Sequence, residues 1–289
     1  TAGGGGRVAE FDYIVVGAGS AGSVLAHRLT ADGRSRVLLL EAGPADWSPY
    51  IHIPAAIIKA VGNPGLDWCH LAEPDPSRGD KVDLWPAGRV LGGSSSINGM
   101  LYVRGAPSDF DGWAALGNDG WSYADVLPCF RRLEATPLGD DALRGRDGPV
   151  CVQPLRSTHP LAEVFNRAAV DAGISWNPDY NGATQEGIAA PQVTQRRGWR
   201  CSAARGYLWP ARKRPNLVIE TGAQALRLTF EGRACTGVEY VRGGVTRRVR
   251  ARAETLLCAG ALGSPKLLMT SGIGPAAHLR ELGIPVVQD

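Results

Sequence analysis

The sequence lacks any Cys-x-x-Cys pair: its six cysteines stand at 69, 129, 151, 201, 235 and 258. Neither a zinc site nor a dithiol redox motif is therefore suggested, and the thiols are expected to be reduced and mostly buried. No apolar run approaches the roughly 18 residues needed to cross a bilayer, so no membrane span is expected. The opening Thr1 to Gly6 has neither the charged nor the apolar region of a secretion signal, and a cytoplasmic location is the expectation. For the four glycines Gly3 to Gly6, a cloning remnant and a natural flexible arm fit equally. Charge of one sign is also scarce. The formal net charge is +3 over 289 residues, which argues against nucleic acid as a partner. The one basic cluster, Arg247, Arg248, Arg250 and Arg252, reads as a solvated strand face.

What is present is an ordinary globular balance, 44% hydrophobic and 20% charged, enough for a sizeable core. The 38 glycines and 20 prolines are dispersed as short runs such as Gly92-Gly93 rather than gathered in one linker, and so read as tight backbone turns.

The first such turn carries chemistry. Phe11 to Val16 is a β-branched and aromatic run that enters Gly17-Ala18-Gly19-Ser20-Ala21-Gly22, after which Val24, Leu25 and Leu29 recur at helical spacing. In a strand, turn and helix of this kind, Gly17 permits the turn and Gly19 lets the backbone approach a pyrophosphate. Gly22 lets the helix sit close to the strand. The free amides of the helix start then face the phosphates, where the helix dipole favours negative charge. A second strand, 36–40, ends in Glu41, nineteen positions after Gly22 and near where a dinucleotide fold places an acid for the ribose hydroxyls. Glycines alone would be explained by close helix packing, but the position of the acid would then be accidental.

Two later segments are needed to choose the dinucleotide. Gly88 to Met100 is rich in small residues, hydroxyls and backbone donors, flanked by Val90, Leu91, Ile97, Leu101 and Val103, and suits a large flat ligand better than a linker does. Leu256 to Gly274 reads as a buried strand, a glycine turn and a short glycine-capped helix, with Ser264 before Pro265 marking the helix start.

The 88–105 and 260–274 segments, with the opening fingerprint and Ser202 to Leu208, resemble the signature stretches of the glucose-methanol-choline (GMC) oxidoreductases over nearly the whole chain. That resemblance implies an α/β chain, α+β overall: a Rossmann-like FAD-binding domain with an inserted, incomplete antiparallel-sheet substrate domain. It also implies FAD, hydride passed from a carbinol carbon to flavin N5, and oxygen or another electron acceptor to reoxidise the flavin. Carried over by position, Gly17, Gly19, Ser20, Ala21, Gly22, Glu41 and Ala42 hold the ADP half, with Ala225, Ala259 and Gly260 near the adenine. Gly92, Gly93, Ser94, Asn98, Gly99, Met100 and Leu101 line the diphosphate and flavin. Some members attach the flavin covalently to a histidine of the first signature; Ile97 stands at that position here, so no covalent link is expected there.

The resemblance divides the chain into a first FAD-binding part, 7–145, a substrate-domain segment, 146–211, and a second FAD-binding part, 212–289. Within them, strands are expected at 148–152 and 190–195, a helix at 162–172 and a hairpin turn at 229–233. At Asp289 the family's polypeptide is about half finished. The resemblance puts the family's catalytic pair, a histidine with a second histidine or asparagine, beyond Asp289, so either a second polypeptide carrying that pair or a cleaved or incomplete enzyme is expected. No catalytic residue is assigned within 1–289. His27, His52, His159 and His278 read as structural or solvent-facing, and His70 beside Trp68 is the least secure of these dismissals. Ile51, Ile53, Ile57 and Ile58 with Trp68 form either an apolar access loop or the packing face of a helix. An aromatic or aliphatic primary alcohol is the expected substrate. Two other functions stay open: a hydroxynitrile lyase of the same fold, and a flavin-binding half inactive without its partner.

Overall fold

The computed structural model describes residues 8–289, and these fall into two compact units. The glycines at 3–6 and Arg7, where the first expected domain begins, lie outside the described residues. One unit combines 8–51, 55–97 and 202–289; the other comprises 52–54 and 98–201. The dividing points therefore fall at 51/52, 54/55, 97/98 and 201/202, where 145/146 and 211/212 were expected.

The first unit is built on a six-stranded sheet. Its strands are β1 (Ala9–Val16), β2 (Val37–Leu40), β3 (Leu217–Glu220), β4 (Ala223–Glu231), β5 (Ala234–Arg242) and β6 (Val245–Leu257), in the spatial order β3-β2-β1-β6-β5-β4. The first four of that order run parallel, and β6-β5-β4 is an antiparallel meander. All four residues of β2 are buried, as expected for a parallel strand covered on both faces. Alternation sorts the sheet into two cores. Ile14, Val16, Leu38 and Leu40 meet Tyr240, Val249 and Leu267 on one face, while Val15, Val37 and Leu39 meet Ala26, Ala204, Leu208 and Ala211 on the other.

That second core explains why the 202–211 stretch belongs with the sheet. Ala204, Leu208 and Ala211 recur at helical spacing, and this stripe covers the sheet face beside helix α1 (Ser20–Leu29). The helix after β6, α2 (Gly260–Thr270), begins four residues before Ser264, correcting the expected start. Ser264 serves the helix differently: its hydroxyl accepts from the Ala259 N–H at 3.1 Å. The expected hairpin turn lies between β4 and β5, with Gly232 at φ +59°. The basic cluster lies on β6 as an ion-paired face, Arg248 to Glu239 at 2.8 Å, Arg250 to Glu231 at 2.7 Å and Arg252 to Asp12 at 2.7 Å.

In the second unit, helices span Pro107–Ala115, Tyr123–Leu133 and Pro160–Asp171, joined by two-residue ladders. One pairs 134–135 with 150–151 in parallel, and two antiparallel ladders pair 153–154 with 192–193 and 195–196 with 199–200. A buried ionic cluster ties these pieces together. The Glu134 carboxylate accepts from Arg104 at 2.6 Å, from Arg144 at 2.8 Å and from the Gly145 N–H at 2.9 Å, all three side chains being 2% exposed or less. The expectation of mostly buried cysteines is corrected: Cys201 alone of the six is buried, Cys129 and Cys235 are exposed, and all are free thiols. Among the described residues, no helix is long and apolar enough to cross a membrane.

Candidate functional site

At the carboxyl ends of the parallel strands of the first unit, the chain order reverses between β1 and its neighbours β2 and β6, the place where open α/β sheets form ligand crevices. The fingerprint turn sits there. Gly17 has φ +100°, and a Cβ on it would lie 2.4 Å from the Cys258 carbonyl oxygen. At Gly22 a Cβ would stand 1.9 Å from the Gly17 oxygen, so only glycine lets α1 lie this close to the turn. Gly19 is different. As the N-cap of α1 it has extended backbone, and the nearest atom to an added Cβ would be Gly93 Cα at 3.8 Å. Among the described residues no side chain caps α1, its first turn holds no acid, and Ser20 and Ala21 are exposed. The start of α1 is thus a set of backbone donors on an exposed turn, a fit for an anionic phosphate group.

Glu41 follows β2 directly and is 5% exposed. Its Oε2 accepts from the Ala18 N–H at 2.9 Å and its Oε1 from the Gly43 N–H at 2.8 Å. The acid therefore clamps the fingerprint turn to its own turn, a role invisible in its spacing alone. Burial pushes its carboxyl above the usual carboxylate range, against the pull of the Gly43 and Ala18 donors and the charge of Arg89. Each oxygen keeps a further lone pair, so the carboxylate can still accept from ribose hydroxyls. Ala42 beside it is partly buried.

The first signature crosses this turn backbone to backbone. Gly92 donates to the Ala18 oxygen at 2.8 Å, and a Cβ on Gly93 (φ +54°) would lie 2.7 Å from Gly19 Cα. Two glycines outside the expected cofactor residues complete the crossing: a Cβ on Gly43 would meet the Arg89 oxygen at 1.9 Å, and one on Gly88 the Gly93 carbonyl carbon at 2.2 Å. Ser94 Oγ accepts from the Gly88 N–H at 3.0 Å, and the buried Ser96 donates to the Leu91 oxygen at 2.7 Å. From the far side of β1, Ala259 and Gly260 open α2; Gly260 has φ +80°, and a Cβ added to it would meet no described atom within 4 Å, leaving room for a ligand. The structure thus gathers Gly17 to Gly22, Glu41, Ala42, Gly92 to Ser94, Ala259 and Gly260 around the strand ends. Ala225 lies on β4 and packs against the first core.

Asn98, Gly99, Met100 and Leu101 belong to the second unit. Asn98 and Gly99 are exposed, Met100 is buried with φ +63°, and Leu101 is 64% exposed. This stretch is fastened to 192–194: Thr194 N–H donates to the Met100 oxygen at 2.8 Å and Tyr102 N–H to the Gln192 oxygen at 2.9 Å.

The histidines make local contacts. His159 Nδ1 accepts from the Leu161 N–H at 3.2 Å at the start of its helix, His70 stacks on Trp68 with ring centroids 6.0 Å apart, and exposed His278 lies 4.0 Å from Glu281. His27 packs edge-on against Tyr207 and beside Arg214; burial and that guanidinium hold its pKa below the usual imidazole value. Asp289, the residue beyond which the histidine pair is expected, makes a local contact as well. It is exposed, and its Oδ1 accepts from the Ala276 N–H at 2.8 Å, tying down the start of the short helix Ala276–Glu281. Of the isoleucines, Ile51 enters a core with Leu66, Val90 and Ile97, whereas Ile58 is 76% exposed.

The sequence profile of the GMC oxidoreductases matches residues 11–288. The chain is 48% identical over 280 residues to an oxygen-dependent choline dehydrogenase of Rhizobium etli and 46% identical to one of Brucella ovis, in each case over 97% of this chain and 51% of the relative. Among solved structures it is similar to pyridoxine 4-oxidase from Mesorbium loti, with a TM-score of 0.92 and 38% identity over 96% of this chain and 55% of that one. It is also similar to an FAD-dependent oxidoreductase from Chaetomium thermophilum, with a TM-score of 0.90 and 34% identity over 96% and 50%. The chain spans about half the length of the curated relatives it matches.

Proposed function

Because the chain belongs to the GMC oxidoreductase family, we propose that it forms the FAD-binding portion of an enzyme that oxidises an alcohol to an aldehyde or ketone. The observation that carries this reading is the uncapped, open start of α1 set beside the buried Glu41 at the strand ends. FAD, when bound, supplies the hydride acceptor at flavin N5. The chain's own residues bind and orient. The amides of Ser20 to Gly22 take the diphosphate, with Gly19 leaving its path clear, and Glu41 accepts from ribose hydroxyls. Ala225, Ala259 and Gly260 border the adenine, Gly92 to Ser94 the diphosphate, and Asn98 to Leu101 the flavin. Ile97 is buried in a core, consistent with a cofactor held without a covalent bond there.

Alcohol oxidation also needs a base for the hydroxyl proton, worth about 10²–10⁴ in rate. We assign that role to a histidine in the half of the family's length that this chain does not cover; the oxidant is oxygen or another acceptor. The substrate is a primary alcohol, and choline, acted on by the 48% identical relatives, is the first to test. The assay is anaerobic addition of choline or benzyl alcohol to the flavin-loaded enzyme. Bleaching of the yellow band is expected. A yellow enzyme that no primary alcohol bleaches would overturn the redox reading in favour of a lyase, and recovery of a nicotinamide dinucleotide from denatured protein would overturn the cofactor.

A further inference from the structure

A buried cation stands directly behind the exposed tip of the first signature. Arg200 lies on the second strand of the ladder pairing 195–196 with 199–200, whose turn places Arg197 at φ +53° and Gly198 at φ +84°. It is 2% exposed, and its Nη1 donates to Asn98 Oδ1 at 2.8 Å. The same oxygen accepts from the Met100 N–H at 3.1 Å. An asparagine amide can usually rotate to exchange its oxygen and nitrogen, but a guanidinium carries donors only. The Asn98 oxygen must therefore face inward. With both of its lone pairs engaged, the amide has only its N–H₂ donors left to offer, and among the described residues nothing accepts from them.

Two further observations show that the arrangement is costly. Desolvation brings the Arg200 pKa down to about 10, so the guanidinium stays charged at neutral pH in a place that disfavours charge. Met100, a residue with a side chain, is held at φ +63°, and the hydrogen bond from its own N–H to Asn98 helps to hold it there. Buried charge is seldom the most stabilising filling for such a position, since an apolar side chain of similar volume often serves stability as well or better. What an apolar side chain could not do is set which way the amide of Asn98 points.

We infer that Arg200 is a positioning residue for the cofactor: it locks the Asn98 amide so that its N–H₂ is presented outward as a donor to an acceptor atom of FAD. This rests on the reading above that Asn98 meets the flavin. Chemically, the recognised groups are the carbonyl oxygens and the N1 and N5 nitrogens of the oxidised flavin or its diphosphate oxygens, all acceptors, so an amide turned the other way would oppose them lone pair to lone pair.

The test is a double-mutant cycle on the flavin-loaded enzyme with Asn98→Ala, Arg200→Met and the two combined, reading FAD affinity by fluorescence and the position of the bound flavin's absorption band. Each single change is expected to weaken FAD binding about tenfold and to move the band in the same direction. The double variant should be no worse than either single one, and Arg200→Lys, which keeps a charged donor, should recover part of the loss. Asn98→Asp guards against misfolding of the arginine variants: its carboxylate still pairs with Arg200 but has no N–H to offer, so it should show the same shift with unchanged stability. Additive effects in the cycle, or an Asn98→Asp protein with the wild-type band and affinity, would overturn the inference while leaving the cofactor reading standing. Wild-type enzyme that binds no FAD would overturn both.

Discussion

Gly19 and Gly22 are three residues apart in one turn, yet alanine at the two positions should fail in different ways. At Gly22 the new methyl would meet the Gly17 oxygen at 1.9 Å, with the Gly17 carbon at 3.1 Å and Cys258 Cβ at 3.2 Å behind it. An ordinary carbon to oxygen contact is about 3.3–3.6 Å, so α1 must withdraw by roughly 1.5 Å. Both atoms are fixed by backbone, so the cost belongs at the upper end of the approximately 1–3 kcal/mol typical of overpacking. Alanine's better helix propensity returns about 1 kcal/mol of it. A net loss of about 1–2 kcal/mol in the cofactor-free protein is therefore expected. At Gly19 the nearest atom would be 3.8 Å away and the backbone is extended, so the methyl fits and only the weaker N-cap is lost, about 0.5 kcal/mol. Its methyl instead enters the space before the helix amides, and FAD affinity should fall at least about tenfold, or 1.4 kcal/mol. Urea melts of the cofactor-free proteins and FAD titrations separate the two. Full FAD affinity in Gly19→Ala would refute the placement of the pyrophosphate, and wild-type stability in Gly22→Ala would refute the packing argument.

Glu41→Gln leaves one acceptor for two buried backbone donors, so FAD affinity is expected to fall about 10–100-fold, the loss typical of a hydrogen bond to a charged group. Because the folded cofactor-free protein holds the Glu41 proton to higher pH than the unfolded chain does, its stability should decline as pH rises from the ordinary carboxylate range to the raised value. The glutamine variant should lose that decline, and a matching pH slope in the two proteins would show that Glu41 does not cause it. In the second unit, Glu134→Gln takes the carboxylate from buried Arg104 and one of two from Arg144, which keeps Asp179, and should cost about 3 kcal/mol in urea unfolding, the low end for breaking a buried ion pair. Burial by itself would raise the Glu134 carboxyl, but Arg144, the Gly145 N–H and Arg104 outweigh it and hold it below the usual range. The stability it contributes is thus complete above the ordinary carboxylate pKa and lost as pH falls through the lowered one, and an acid-unfolding curve that the glutamine variant leaves unmoved would contradict this.

The relation of sequence to structure differs between the two ends of the site. A strand, a glycine turn, a helix and a second strand form one local unit, and the reach of that unit along the chain fixes how far Glu41 must follow Gly22, so both were legible from spacing. The strands β1 and β2 were legible from their apolar runs, whereas their alternate sorting into two cores came with the packing on both faces of the sheet. Tertiary structure decided what joins segments far apart. The crossing of Gly43 on Arg89 and Gly93 on Gly19 is a pair of backbone approaches between separate turns, and a glycine's spacing says nothing about which distant backbone it must admit. The start of α2 at Gly260 rather than at Ser264 was set by the strand-end turn, since Ser264 turns back to the Ala259 N–H. The 202–211 stretch went to the sheet because its apolar stripe found an open face there. Arg200 and Asn98 are 102 residues apart, and the partner of a buried arginine leaves no periodic trace in the chain; only folding could reveal that this cation meets that amide.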